Sequence, residues 1–486
     1  MVSIYIQSQT TERVAIIEEE KQIKELVIDR PGVRNQVGNI YFGKVNSIEK
    51  GLQAAFIDIG NEKLGFLQKK EIPSARDDSN PPIESLITEG QTIVVQIIKD
   101  AYGEKGPRLT ANITIPGIDI IYLPFGNYVA ASRKLSDDDR GRLSTYVSRI
   151  KILQEGAIIR TSAKNRPEKE VEQEFISLRT RWQELEKQNK SKKVPCCLLE
   201  DKTVPDRIVR KFPPSLIKTI YIDDLSLANY VRKTYPNVKE KVKWLNDIEK
   251  QLPYSIYRLM EEVVAPKVVT SKGVEIIIEQ TEAMTIIDVN TATFAGRSNK
   301  EQTLAKANIH AAVEIAKQVR LRNLSGIIII DFISMKMESH RKNIIATLKK
   351  AFANDPIRSE IYGFTKLGLL EMTRKRELDT LPNLLLDKDQ SKQKFSRITE
   401  AYLLERELLS YRGSNVEAML IEINPKLYQV FFQSISIKNV KEKVGQEVYM
   451  VKAKGIESYR VKLAGSIALI NEQVSRISSD AIDKVF

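Results

Sequence analysis

Two carboxylates stand out for the residues that lead up to them. In "AMTIIDVNTATFAG", residues 283–296, and in "SGIIIIDFISM", residues 325–335, an apolar, largely β-branched run ends on an aspartate, Asp288 in the first and Asp331 in the second. Between them "NKEQTLAKANIHAAVEIAKQVRLRN" sets Ala305, Ile309, Ala312, Ala316 and Val319 on one helical face. Strand, helix and strand in that order make a βαβ crossover, whose strands are parallel and usually adjacent in one buried sheet. As neighbours, the aspartates stand at equal height, about one strand spacing of ~5 Å apart. Carboxylates that close repel each other unless a proton or a cation lies between them. A hard divalent ion such as Mg²⁺ meets that need, because it accepts one or two carboxylates and keeps waters for a substrate phosphate. Asn290, two residues past Asp288, could orient a phosphate or a water, and Gly296-Arg297 and Ser339 to Lys342 add basic groups. The plainer alternative is that both aspartates cap helices following their strands.

Other chemistries have little material. There are 2 histidines, His310 and His340, so imidazole clusters and Ser-His-Asp triads are disfavoured. The 2 cysteines, Cys196 and Cys197, are adjacent and fit neither a loop-closing disulfide nor a four-cysteine zinc site. With Lys+Arg 76 against Asp+Glu 63, the net charge of +13 favours a polyanionic partner. No apolar run is long enough to span a bilayer, and the first twenty residues lack a secretory pattern, so a cytoplasmic protein is expected.

At 486 residues the chain predicts three or more packed units of mixed α/β character. Residues 3–30 read as a β-meander. From 38 to 115, four or five short strands punctuated by glycines, with interleaved aromatic and basic residues, predict a small Greek-key barrel of the OB type. Such barrels often offer aromatics and lysines to single-stranded nucleic acid, although Phe56 and Phe66 could equally be core. Residues 117–205 predict two strands, "DIIYLP" and "GAIIRTSA", then a charged helix with Val171, Phe175, Leu178, Trp182 and Leu185 as its packing stripe. Residues 206–265 carry no chemical signal. The 380s read as a polar linker, followed by a helix near 395–412 and a small strand-rich unit at about 416–466.

In this order and spacing, "AAFIDIGNEKLGFL", "IIRTSA", "MTIIDVNTA", "LRNLSGIIIIDFISM" and "LGLLEMTRKR" resemble the catalytic half of the ribonuclease E/G family of bacterial endoribonucleases, from the first residues to about 376. The resemblance implies an RNase H-like subdomain at 1–35 and 201–264, interrupted by an OB-fold RNA-binding barrel at 36–116 and a 5′-sensor region at 117–200. It further implies a DNase I-like catalytic subdomain at 265–380, and leaves a linker and helix at 381–415 and a small C-terminal α/β unit at 416–486. Asp288 and Asp331 match the family's magnesium-binding aspartates, and Asn290 the asparagine that assists at the scissile phosphate. Arg160 and Thr161 match a pair that grips a 5′-monophosphate, with Arg358 in support and Gly117 and Ile121 at the wall of that pocket. Phe56, Phe66 and Lys105 match barrel residues that press RNA toward the catalytic surface. The implied activity is Mg²⁺-dependent cleavage of single-stranded A/U-rich RNA to 5′-phosphate and 3′-hydroxyl ends, on rRNA precursors, tRNA precursors or mRNA.

Two departures bear on these expectations. The family's Cys-Pro-x-Cys pair, which shares zinc between two protomers, is missing from "RKRELDTLPNLLLDKDQSKQKFSRI", and Ser334 stands where an aspartate often follows the metal ligand. Any homodimer is therefore expected to form without zinc, through Tyr402, Leu403, Leu404 and Leu408, unless that helix packs on its own chain. The lack of a long scaffold tail favours the family's shorter branch. A non-catalytic RNA-binding factor acting on ribosomes and a Mg²⁺-dependent DNA nuclease remain as alternatives. Retention of Asp288, Asn290 and Asp331 argues against the first, and the barrel and sensor motifs against the second.

Overall fold

The computed structural model describes residues 1–32, 36–76, 81–101, 104–189, 192–291, 300–353, 355–387, 394–477 and 482–486. The chain is a mixed α/β protein of two compact units, one comprising Met1–Ile6 and Gly32–Leu245, the other Gln7–Pro31 and Asn246–Phe486.

In the first unit the strand Val2–Gln7 pairs in parallel with Ile217–Ile222, which pairs in parallel with Val242–Trp244. The chain between these strands builds a closed five-stranded barrel from Ile40–Glu49, Ala54–Asp58, Gly65–Gln68, Arg108–Thr110 and Thr92–Lys99. It closes because Ile40–Glu49 bonds both Ala54–Asp58 and Thr92–Lys99. Alternation sends Val45, Ala55, Ile57, Leu67, Val95, Ile97 and Leu109 inward. At Gly65 a Cβ would lie 2.4 Å from Leu109 Cδ1, so any larger residue would have to displace that core side chain. Cys196 and Cys197 sit on a short strand antiparallel to Ile40–Glu49 and are free thiols.

The barrel is followed by a four-stranded sheet that includes the two expected strands, Ile120–Leu123 and Gly156–Ile159, paired antiparallel. The helix Glu168–Asn189 buries its whole expected stripe, Val171, Phe175, Leu178, Trp182 and Leu185, against this sheet. A strand, Val129–Ala131, and a helix, Asp137–Ile150, were not expected from the sequence. That helix is short on apolar residues and owes its start to Ser136, whose hydroxyl accepts from Asp139 N, and to three aspartates in its first turn.

The second unit is organised by a six-stranded sheet in the order Lys267–Val269, Val274–Gln280, Met284–Thr291, Gly326–Asp331, Leu369–Arg374, Ser359–Phe364. Met284–Thr291 and Gly326–Asp331 are parallel, joined by the helix Lys300–Leu321, and the remaining neighbours are antiparallel. The helices Lys300–Leu321 and Glu338–Ala351 cover one face, burying Ile287, Val289, Ile328, Ile330, Leu370 and Met372 with Ala312, Ile315, Val319, Ile344 and Leu348. Of the expected helix face, Ala305, Ala312, Ala316 and Val319 are buried; Ile309 is only half-buried, and Ala307, Ala311 and Ile315 take its place in the core. The hairpin Arg13–Glu19 and Gln22–Asp29 is tied to this helix by Arg320, which bonds Glu25 at 2.9 Å and Glu19 at 3.3 Å.

Two expectations are corrected in this unit. The start of the supposed polar linker is a packed turn of helix, Leu381–Leu385, with Leu381, Leu385 and Leu386 buried. Residues 388–393 lie outside the described residues. The helix Arg397–Ser410 does not offer Tyr402, Leu403, Leu404 and Leu408 to a second chain, because all four are buried in its own. Tyr402, Leu404 and Leu408 pack with Met419 and Ile421 of the C-terminal sheet and with Phe431 of the helix Pro425–Ser434. Beside them the buried Glu12 carboxylate takes bonds from Arg30 and Arg406, both 2.7 Å. This pairing satisfies a charge that would otherwise be costly to bury.

Candidate active site

The parallel register pairs Asp288 with Asp331 directly. Adjacent strands fix these two Cα positions about 4.8 Å apart, close enough for one ion to bridge the side chains. Neither aspartate caps a helix. Asp288 lies inside its strand, which runs on to Thr291, and the helix after Asp331 begins only at Glu338 with Met337 as its cap residue. The capping alternative is therefore overturned.

The sheet's period of two decides what surrounds them. While Ile287 and Ile330 point into the core, Met284, Ile286, Asp288, Ile329, Asp331, Leu369 and Glu371 line the opposite, uncovered face together with Thr365, around a cleft of about 360 Å³. Asn290 follows on the same side and donates from Nδ2 to Asp288 Oδ2 at 2.6 Å, which orients that carboxylate. Gly296 and Arg297 lie outside the described residues. Arg341, from the basic stretch after Asp331, stacks over the Phe364 ring at 5.6 Å.

Two residues of this site were not singled out in the sequence. Glu371 is paired with Ile329 and so lies diagonal to Asp331 on the open face, and strand alternation in "GLLEMTR" could have found it. Asn308 has no exposed surface. Its amide donates to Ile333 O at 2.7 Å and its carbonyl accepts from Ile333 N at 3.0 Å, pinning the chain two residues beyond Asp331. Its signal was a polar side chain on the apolar face of "AKANIHAA".

In the first unit, Arg160 leaves the end of strand Gly156–Ile159, and its Nη1 donates to the carbonyls of Gly117 at 2.8 Å, Ile118 at 3.0 Å and Arg210 at 3.1 Å. Nη2 has no partner among the described residues, so a fixed guanidinium keeps an edge for an anion. Burial, with Arg210 adding to it, lowers the Arg160 pKa from its ordinary value. Thr161 is exposed and shares a 2.8 Å hydrogen bond with Ser132. Gly117 has no room for a side chain, since a Cβ would meet Glu174 Oε1 at 2.5 Å. Glu174 accepts from Ile118 N at 2.5 Å and Asp119 N at 2.8 Å, holding the loop whose carbonyls hold Arg160. Burial, and then the charge of Asp119, push the Glu174 carboxyl up to about 7. Ile121 is half-buried on the strand leaving this loop. The structure thus brings Gly117, Ile121, Arg160 and Thr161 into one region. Arg358 belongs to the second unit, where it pairs with Glu360 and is largely exposed.

On the barrel, Phe56 and Phe66 are cross-strand partners, half-buried, with ring centroids 5.7 Å apart. They stand outside the barrel's buried cluster, which disposes of the reading that both are simply core. Lys105 is exposed.

The chain is similar to known ribonucleases. A family model described as Ribonuclease E/G family matches residues 114–377. Ribonuclease G of Haemophilus influenzae is 35% identical over 390 residues, covering 77% of this chain and 79% of that protein. Ribonuclease G of Escherichia coli K12 is 33% identical over 386 residues, covering 75% and 77%. Ribonuclease E of Nostoc is 32% identical over 386 residues, covering 77% of this chain and 56% of that longer protein.

Proposed function

The chain belongs to the ribonuclease E/G family of endoribonucleases, and from that premise we propose that it cuts single-stranded, A/U-rich RNA with Mg²⁺. It leaves 5′-phosphate and 3′-hydroxyl ends, favours substrates carrying a 5′-monophosphate, and serves rRNA or tRNA processing or mRNA decay. The observation that carries this reading is the register that sets Asp288 beside Asp331 at the edge of an open cleft.

The donors suit a hard cation. The two ligands are carboxylates, one already oriented by Asn290, and among the described residues no imidazole or thiolate lines the cleft to favour a softer metal. Bound there, Mg²⁺ would neutralise charge on the scissile phosphate and make a water more acidic. The chain's own residues supply position. Asp288 and Asp331 would hold the ion at the sheet edge, while Asn290 keeps Asp288 from rotating and Asn308 keeps the segment after Asp331 in place. The exposed faces of Phe56 and Phe66 offer a stacking platform for bases, with Lys105 for the backbone. Arg160 and Thr161 would take a terminal phosphate against Gly117 and Ile121. A planar guanidinium immobilised by three carbonyls suits a charge-assisted bond of this kind.

The test is to incubate the purified protein with a short 5′-monophosphorylated A/U-rich RNA and Mg²⁺ and to identify the product ends. Asp288→Asn and Asp331→Asn should each lower cleavage by about a thousandfold or more while RNA affinity persists. Wild-type cleavage in excess EDTA, or unimpaired cleavage by both variants, overturns the mechanism.

A further inference from the structure

The strands Ser359–Phe364 and Leu369–Arg374 are joined by a turn that carries Lys366 and Leu367 at its tip, and Leu367 is 87% exposed. A leucine so open to water on a loose loop would mean little, but this turn is braced. Thr365 N donates to Leu369 O at 2.8 Å, Gly368 N to Thr365 O at 3.0 Å, and Leu369 N to Thr365 Oγ1 at 3.2 Å, while Gly368 supplies the left-handed backbone at φ +90°. The turn's place in the sheet is equally definite. Leu369 is the ladder partner of Asp331, and both Thr365 and Leu369 line the aspartate cleft, so the tip projects just past the level of the carboxylates.

Resting on the nuclease reading above, we propose that this hairpin tip is a substrate wedge: Leu367 inserts against the base step flanking the scissile phosphate, and Lys366 holds an adjacent phosphate. The chemistry of the cleft favours a nucleobase as the occupant. Met284, Ile286, Ile329 and Leu369 give it an apolar floor suited to the flat face of a base, whereas its carboxylates repel phosphate and need a neighbouring cation to offset them. Apolar side chains that enter a base step unstack it and bend the backbone. A single strand splayed in this way presents its phosphate to the aspartate edge. Leucine has no donor or acceptor for a base edge, and Lys366 is committed to a phosphate, so the wedge gives little sequence readout and a preference for weakly stacked steps, which are cheapest to open.

The experiment compares wild type, Leu367→Ala and Lys366→Ala on two otherwise identical single-stranded RNAs, one intact and one with an abasic ribose beside the cleavage point. On intact RNA, Leu367→Ala should lower kcat/KM about tenfold, and on the abasic RNA it should cost almost nothing, since no base remains to be displaced. Lys366→Ala should weaken both RNAs alike, with a smaller effect at high salt. In an Asp331→Asn background, 2-aminopurine placed at the same position should brighten on binding, and Leu367→Ala should abolish that rise. Equal loss on both RNAs, no loss on either, or an unchanged 2-aminopurine signal overturns the wedge. The fluorescence is read without turnover, so wild-type protein that fails to cleave either RNA counts against the nuclease reading, while an unaltered fluorescence response counts against the wedge alone.

Discussion

Replacing Asn308 by alanine removes the two-point clamp on Ile333 without touching either aspartate. Both bonds, 2.7 Å and 3.0 Å, go to one backbone unit, and the asparagine that makes them is fully buried. Each lost bond leaves a poorly hydrated N–H or C=O at a cost of about 1–2 kcal/mol, so the local loss is about 2–4 kcal/mol. Converted to opening of the segment after Asp331, that is an acceleration of about thirty- to a thousandfold in hydrogen exchange. The readout is a peptide spanning residues 331–337, with a peptide from the barrel as internal control. Catalytically, Asn308→Ala should lower kcat by about tenfold or more and leave KM nearly unchanged, because it disturbs the placement of a ligand rather than RNA binding. Asn308→Asp should do worse, since its charge is buried opposite the Ile333 carbonyl. Exchange in 331–337 that matches wild type would refute the reasoning whatever the activity.

Arg160→Ala should remove most of any preference for 5′-monophosphorylated over 5′-hydroxyl RNA, measured as a ratio of rates on paired substrates; an unchanged ratio would separate Arg160 from phosphate recognition. The carboxyl of Glu174, raised by burial from its ordinary 4.5 to about 7, favours the fold when protonated. Its contribution is complete below its unfolded pKa and is lost as pH rises through 7. The first unit should therefore melt lower at pH 8 than at pH 6, and Glu174→Gln should flatten that slope; a variant with the wild-type slope would assign the titration elsewhere. Elemental analysis should find no stoichiometric zinc, since the segment after Arg376 offers no thiolate, and one zinc per two chains would contradict this.

The aspartate pair was legible because a βαβ crossover leaves little freedom: once two apolar strands flank an amphipathic helix, equal offsets from the first paired residues, Met284 and Ile327, place Asp288 beside Asp331. The packing stripe from Val171 to Leu185 was legible for the same local reason, a helical period read within one element. What escaped depends on partners distant in sequence. Asn308 looks like a polar interruption until Ile333 is folded back against it, and the loop that holds Arg160 is built by Gly117, Glu174 and Arg210 from three separate segments. Leu381 and Leu385 were passed over because polar neighbours on both sides dilute their pattern, although burial depends on where those two side chains point. The helix Arg397–Ser410 posed the opposite problem. Its apolar residues declared that they needed cover, and only the tertiary structure shows that Met419, Ile421 and Phe431 provide it.

The parallel pairing of Val2–Gln7 with Ile217–Ile222 has a consequence for synthesis. As the chain leaves the ribosome, the edge of its first strand that takes Ile217–Ile222 stays open until the barrel and the sheet after it have been made, an exposed, apolar edge. The barrel strands, by contrast, are close in sequence and can close on themselves early. A stalled or truncated chain ending before Ile217 would then hold a finished barrel and a first strand with that edge left open. Aggregation of such fragments should be governed by Val2, Ile4 and Ile6, whose burial in the complete unit hides that hazard.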